Sequence, residues 1–167
     1  MLKSSPLLVR QILAIFCGGF LGTITRYGLS FAIQAWFGNS WPYDILLINL
    51  TGAFILALFT TLTDASVLFG PTRRLFLNVG FLGAYTTFSS LALGDVLLFG
   101  KGQIVLALLY LMASLIGGLL AVMLGMRCGN WYVTLAKRAP LHAKEHVDVD
   151  DDLLLFDADD EREVRSR

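Results

Sequence analysis

Histidine is missing from the first 139 residues of this chain, and acidic side chains are nearly so: that stretch holds only Asp44, Asp64 and Asp95. These scarcities argue against most hydrolytic chemistry, and no Ser-His-Asp set, paired carboxylates or nucleotide-cradling loop appears there. Cysteine is scarce too. Cys17 and Cys128 lack metal-type spacing and are too few for a disulfide framework. The two histidines, His142 and His146, lie near the C-terminus. Their spacing can hold a metal on a helix, but two solvated side chains are the simpler explanation. The basic residues are scattered, with no basic stripe carrying aromatics, so a nucleic-acid partner is not expected.

A signal peptide is also not expected. Lys3 and Arg10 precede the apolar run "QILAIFCGGFLG", but no small-x-small cleavage site follows. Phe16 fills the position where lipid attachment at Cys17 would need a small residue.

What the chain has in abundance is apolar surface. It is 56% hydrophobic with a mean hydropathy of +0.67, too apolar for an ordinary soluble domain. Four segments are long enough to cross a bilayer, which takes roughly 20 apolar residues. They cover residues 7–37, 43–63, 75–99 and 103–126, joined by short connections. The fold class is therefore all-α: a polytopic membrane protein with four transmembrane helices. Residues 1–128 form the membrane domain. Residues 129–167, including "HVDVDDDLLLFDADDEREVRSR", read as an acidic disordered tail in which "LLLF" offers a docking patch.

Charge gives an orientation. Residues 1–139 carry nine Lys/Arg and three Asp/Glu, whereas residues 140–167 carry four and ten. An even number of spans puts both termini on one side. That side collects Lys3, Arg10, Arg73, Arg74, Arg127, Lys137 and Arg138, and the other has only Lys101. The excess of Lys/Arg places both termini in the cytoplasm of a multi-pass protein of the cell membrane.

Polar residues inside the spans are the informative ones. Small-residue rows at Gly18/Gly22, Ser114/Gly118 and Gly117/Ala121/Gly125 suit close helix contacts. Asn49, in "INLTGAF", is either interhelical glue or a site residue. Arg26, in "TITRYG", either snorkels to a membrane face or lines a watery vestibule. Tyr110, Ser114 and Gly118 share one helix face. Asp44 and Asp64 flank the second segment, and Asp95 lies near the end of the third.

The third segment holds "GAYTTFSSL" at its midpoint. Gly80 and Gly83 weaken a helix, and Thr86, Thr87, Ser89 and Ser90 offer the backbone competing partners. A break in the third helix is expected there, and it frees carbonyl and amide groups. Within a membrane this is tolerated only beside protein or water, and transporters use such breaks as ion sites. Free carbonyls suit a cation. Hydroxyls, amides and the electropositive ring edge of Phe88 suit an anion.

Taken in order, "GGFLGTITRYG", "INLTGAF" and "GFLGAYTTFSS" resemble the Fluc/CrcB family of fluoride ion channels, over residues 7–126. The resemblance implies a passive fluoride channel that lets cytoplasmic fluoride leave the cell and so reduces its toxicity. It implies two subunits packed antiparallel in the lipid membrane. Asn49, Phe88, Ser89, Tyr110, Ser114 and Arg26 would lie along the fluoride path. Backbone carbonyls of Gly83 and Thr86 would hold a structural sodium ion that is not transported. Two positions depart from the family pattern: Leu91 stands where a second phenylalanine is expected, and Gly94 where an acidic residue is expected. The charge bias is a third departure. Antiparallel copies of one chain need little Lys/Arg asymmetry, so the expected partner is either a second copy of the chain or, in better keeping with the bias, an oppositely oriented homologue. Two alternatives stay open: a small four-helix proton-coupled multidrug exporter, and a non-conducting scaffold subunit of a heterodimeric fluoride channel.

Overall fold

The computed structural model describes residues 6–65 and 70–165, with side chains as far as residue 136. Helix α1 is Pro6–Phe37 and α2 is Tyr43–Ala65. Residues 71–85 form α3, Phe88–Gly100 forms α4 and Ile104–Arg165 forms α5. No strand occurs among the described residues. Four helical stretches are long and apolar enough to cross a membrane: Pro6–Phe37, Tyr43–Ala65, Pro71–Gly100 and Ile104–Ala136. Together α3 and α4 make the third.

Local chemistry sets the ends. Gly38, at φ +75°, follows α1 and donates its N–H to Gln34 O at 2.9 Å, a left-handed stop that glycine adopts without strain. Pro71 occupies the first turn of α3, where a missing N–H costs nothing. Gly102, at φ +72°, turns the chain from α4 into α5 and bonds Phe99 O at 2.9 Å.

Leu75–Leu82, within α3, is wound as a π-helix. This is the part of α3 on which α1 packs. A Cβ on Gly18 would collide with Phe76 O and would lie 2.9 Å from Phe81 N. One on Gly22 would collide with Phe81 O, and one on Gly80 would reach Ile15 O at 2.7 Å. The neighbours are backbone atoms and cannot yield. The glycines let two main chains touch where lipid supplies no hydrophobic drive.

A second seam joins α2 and α5. Gly117 faces Leu50, and Gly125 faces Phe54 O and Ala57. Gly118 has nothing within 4 Å of where its Cβ would lie, so α5 is open at this position. The core is two clusters. Leu91, Leu98, Ala107 and Tyr110 form one; Ile48, Leu82 and Tyr85 form the other. Large apolar side chains such as Phe16, Phe31, Val96 and Leu119 are exposed, as a surface meeting lipid or a partner requires.

Apolar periodicity stops at Cys128, whereas the α5 backbone stays helical to Arg165. Ala, Leu, Lys, Glu and Arg in the later residues are good helix formers, even among the acidic run. Contacts divide the chain into two compact units, Met1–Asn130 and Trp131–Arg167. His142, His146 and the "LLLF" patch lie outside the residues whose side chains are described.

Candidate functional site

Between α3 and α4 the backbone is extended at two residues. Thr86 has ψ 154°, and Thr87 has φ −150° and ψ 117°. Asn49, on α2, fastens this point. Its Nδ2 donates to Thr87 O at 3.0 Å, and its Oδ1 accepts from Thr87 N at 2.8 Å. One side-chain amide thus satisfies both main-chain groups of one residue, as a neighbouring strand would. The Thr87 hydroxyl caps α4, accepting from Ser90 N at 3.2 Å and donating to Ser90 Oγ at 3.1 Å. It also lies 3.2 Å from Ser89 Oγ. Threonine is a favoured N-cap because its oxygen meets an otherwise orphaned helix amide.

These bonds leave carbonyls behind. In an unbroken helix, Thr87 N–H would bond Gly83 O and Ser90 N–H would bond Thr86 O. Asn49 Oδ1 takes the first amide and Thr87 Oγ1 takes the second. Thr86 N–H still reaches Leu82 O at 3.1 Å, the last helical bond before the extended residues. The oxygens of Gly83 and Thr86 have therefore lost their usual donors, a donor set that fits a hard cation such as sodium. No group of three or more His, Cys, Asp or Glu side chains that could hold a metal occurs among the described residues.

Phe88, the first residue of α4, is 78% exposed, and Ser89 beside it is exposed. Asn49, Phe88 and Ser89 thus gather at the extended residues. Tyr110 lies elsewhere, fully buried in the cluster with Leu91. Trp41 meets its ring edge-on at 5.4 Å. The Tyr110 hydroxyl is buried and has no hydrogen-bond partner. Ser114 donates to Tyr110 O at 2.7 Å, so its hydroxyl turns back onto its own helix. Arg26 is half-buried and makes no ion pair among the described residues.

The two departures noted in the sequence have a common physical setting. Leu91 is 8% exposed and fills core beside Tyr110. A Cβ on Gly94 would lie 3.1 Å from Tyr110 Cε1 and 3.4 Å from Pro42 Cγ. An acidic side chain there requires Tyr110 or Pro42 to move.

Sequence reasoning placed Asp44 only as a flanking residue. It is in fact buried, accepting from Ser30 Oγ and, at 2.7 Å, from Gln34 Nε2. With Gln34, Trp41, Gly94 and Lys101 it lines a cavity of about 160 Å³. A carboxylate in the first turn of α2, with hydroxyl and amide residues one turn apart on α1, was the available signal. Thr87 was missed as the hub of the site. Its position three residues before Ser90, at the head of a helix, was the clue.

Residues 13–126 match the family described as CrcB-like protein, Camphor Resistance (CrcB). Curated relatives are similar over most of the chain. The fluoride-specific ion channel FluC of Chloroflexus aurantiacus is 36% identical over 124 residues, 74% of this chain and 98% of that protein. FluC of Thermus thermophilus is 41% identical over 122 residues, 73% and 95% respectively. FluC of a Synechocystis species is 41% identical over 120 residues, covering 72% and 92%.

Proposed function

This chain belongs to the CrcB family, and from that premise we propose that it is a fluoride-specific channel, not an enzyme, which lets cytoplasmic fluoride leave the cell passively. The relatives' names favour this over the proton-coupled exporter and the non-conducting scaffold. The observation that carries it within the chain is the two-armed bond between Asn49 and Thr87, which holds extended backbone inside a membrane span.

Fluoride holds its water tightly, and an unpaired ion in an apolar medium costs tens of kcal/mol. A pore must replace that water with donors and still release the ion. The ring of the exposed Phe88, through its electropositive edge, and the hydroxyl of Ser89 supply positive contacts beside the extended residues. Tyr110 supplies a buried O–H that lacks an acceptor, the kind of group an anion or water would satisfy. Asn49 acts by positioning, because both arms of its amide engage Thr87. Ser114 lies one turn from the open position at Gly118 on α5, and Arg26 draws anions toward an aqueous entrance.

The carbonyls of Gly83 and Thr86 would hold a structural sodium ion. When bound, that ion would supply fixed positive charge to the extended backbone and would not be transported. The chain works as an antiparallel dimer with both termini in the cytoplasm. Its seven-to-one Lys/Arg bias favours an oppositely oriented homologue over a second copy of itself. The expected result in cells lacking their own fluoride exporter is restored growth in fluoride when the chain is expressed, and none when Phe88→Ala replaces it. Growth no better than with an empty vector, alone and with the homologue, would contradict the proposal.

A further inference from the structure

At the end of the membrane domain where α1 and α3 begin, the two helices border an open groove of about 400 Å³. Its walls are apolar, from Ala14, Phe76 and Leu77, with Thr72 among them. Arg10 and Arg73 complete the lining, and both are exposed. Each arginine sits about one helical turn nearer its helix start than the apolar residues do. The arginines therefore stand toward the outer end of the groove, and the apolar wall lies further along the helices.

Nothing within the membrane domain neutralises these arginines. Its three carboxylates are Asp44, Asp64 and Asp95. Asp44 is engaged by Ser30 and Gln34, Asp64 pairs with Arg74, and Asp95 lies on α4. Neither Arg10 nor Arg73 has an ion-pair partner among the described residues. An anion that complements them would come from outside this domain, and the apolar walls suit one that carries hydrocarbon.

We propose that this groove is a binding site for an anionic phospholipid. The phosphate lies between Arg10 and Arg73, where guanidinium groups can bond it bidentately. One acyl chain runs along Ala14, Phe76 and Leu77. Basic pockets between spans hold anionic headgroups in this way. Phe76 and Leu77 belong to the π-wound stretch on which α1 packs. The lipid thus braces the α1–α3 contact that carries the site backbone. The proposal does not depend on which ion is conducted.

Native mass spectrometry of the full chain, purified and supplied with phosphatidylglycerol or phosphatidylcholine, tests this. The protein is expected to retain phosphatidylglycerol preferentially. The double variant R10Q/R73Q should weaken that retention roughly thirty-fold, given two arginines near an anionic charge. Ala14→Phe, which fills the groove and leaves both arginines in place, should lower it as well. The second variant covers the case in which the first does not fold. Equal retention of the two lipids, or retention unchanged in both variants, overturns the site.

Discussion

Asn49→Ala removes both arms of the amide that hold Thr87. Thr87 is 7% exposed, so its N–H and C=O would be left without a partner inside the membrane domain. Each orphaned buried group costs about 1–3 kcal/mol, so the pair costs roughly 2–6 kcal/mol. The lower end is expected, because measured couplings within membrane proteins are smaller, replacement partners being found in the unfolded chain. A loss of about 2 kcal/mol corresponds to a fall of roughly 4–8 °C in the unfolding midpoint for a chain of this size. Fluoride flux should fall by at least about tenfold, since ~1.4 kcal/mol of misplacement suffices for that factor. The assay pairs thermal unfolding of purified protein with efflux from liposomes. An Asn49→Ala protein with unchanged midpoint and unchanged flux would refute the view that this amide organises the site.

Thr87→Val should cost about 1 kcal/mol through the lost cap of α4, while Thr87→Ser should be close to neutral; thermal midpoints decide. Gly22→Ala presses a methyl group onto Phe81 O and should destabilise by about 1–3 kcal/mol, read as a lowered midpoint or loss of the monodisperse species. Tyr110→Phe deletes a buried hydroxyl without a partner and should raise the midpoint while lowering fluoride flux. A lowered midpoint would mean that the hydroxyl is satisfied within the protein. Gly94→Glu must displace Tyr110 or Pro42 and should destabilise, unless Tyr110→Ala in the same chain relieves the crowding.

The spans were legible because a bilayer demands long apolar runs, and the helices at Pro6–Phe37 and Tyr43–Ala65 lie within two residues of the expected segments. The glycine pair on α1 was legible as a contact, since small residues four apart have few other uses in lipid. Its target was not. Which backbone Gly18 and Gly22 meet depends on the π-wound turns of α3, and nothing in "LFLNVGFL" announces wider winding. Polar residues drew attention to the stretch around the extended backbone, because membranes make them costly. Their division of labour needed coordinates. Asn49 binds backbone at both arms, Thr87 is the hub, and Tyr110 is buried with Leu91 rather than lying on an open face of the single chain. Leu91 and Gly94 looked like two separate losses in the sequence. In the fold, both lie against Tyr110.

Fluoride efflux from liposomes that contain the purified chain, with chloride as the control ion, tests the channel assignment most directly. Rapid, fluoride-selective efflux, from this chain alone or with its oppositely oriented homologue, is the predicted result. Well-folded protein that passes neither ion in both preparations, or passes chloride as readily as fluoride, would contradict it.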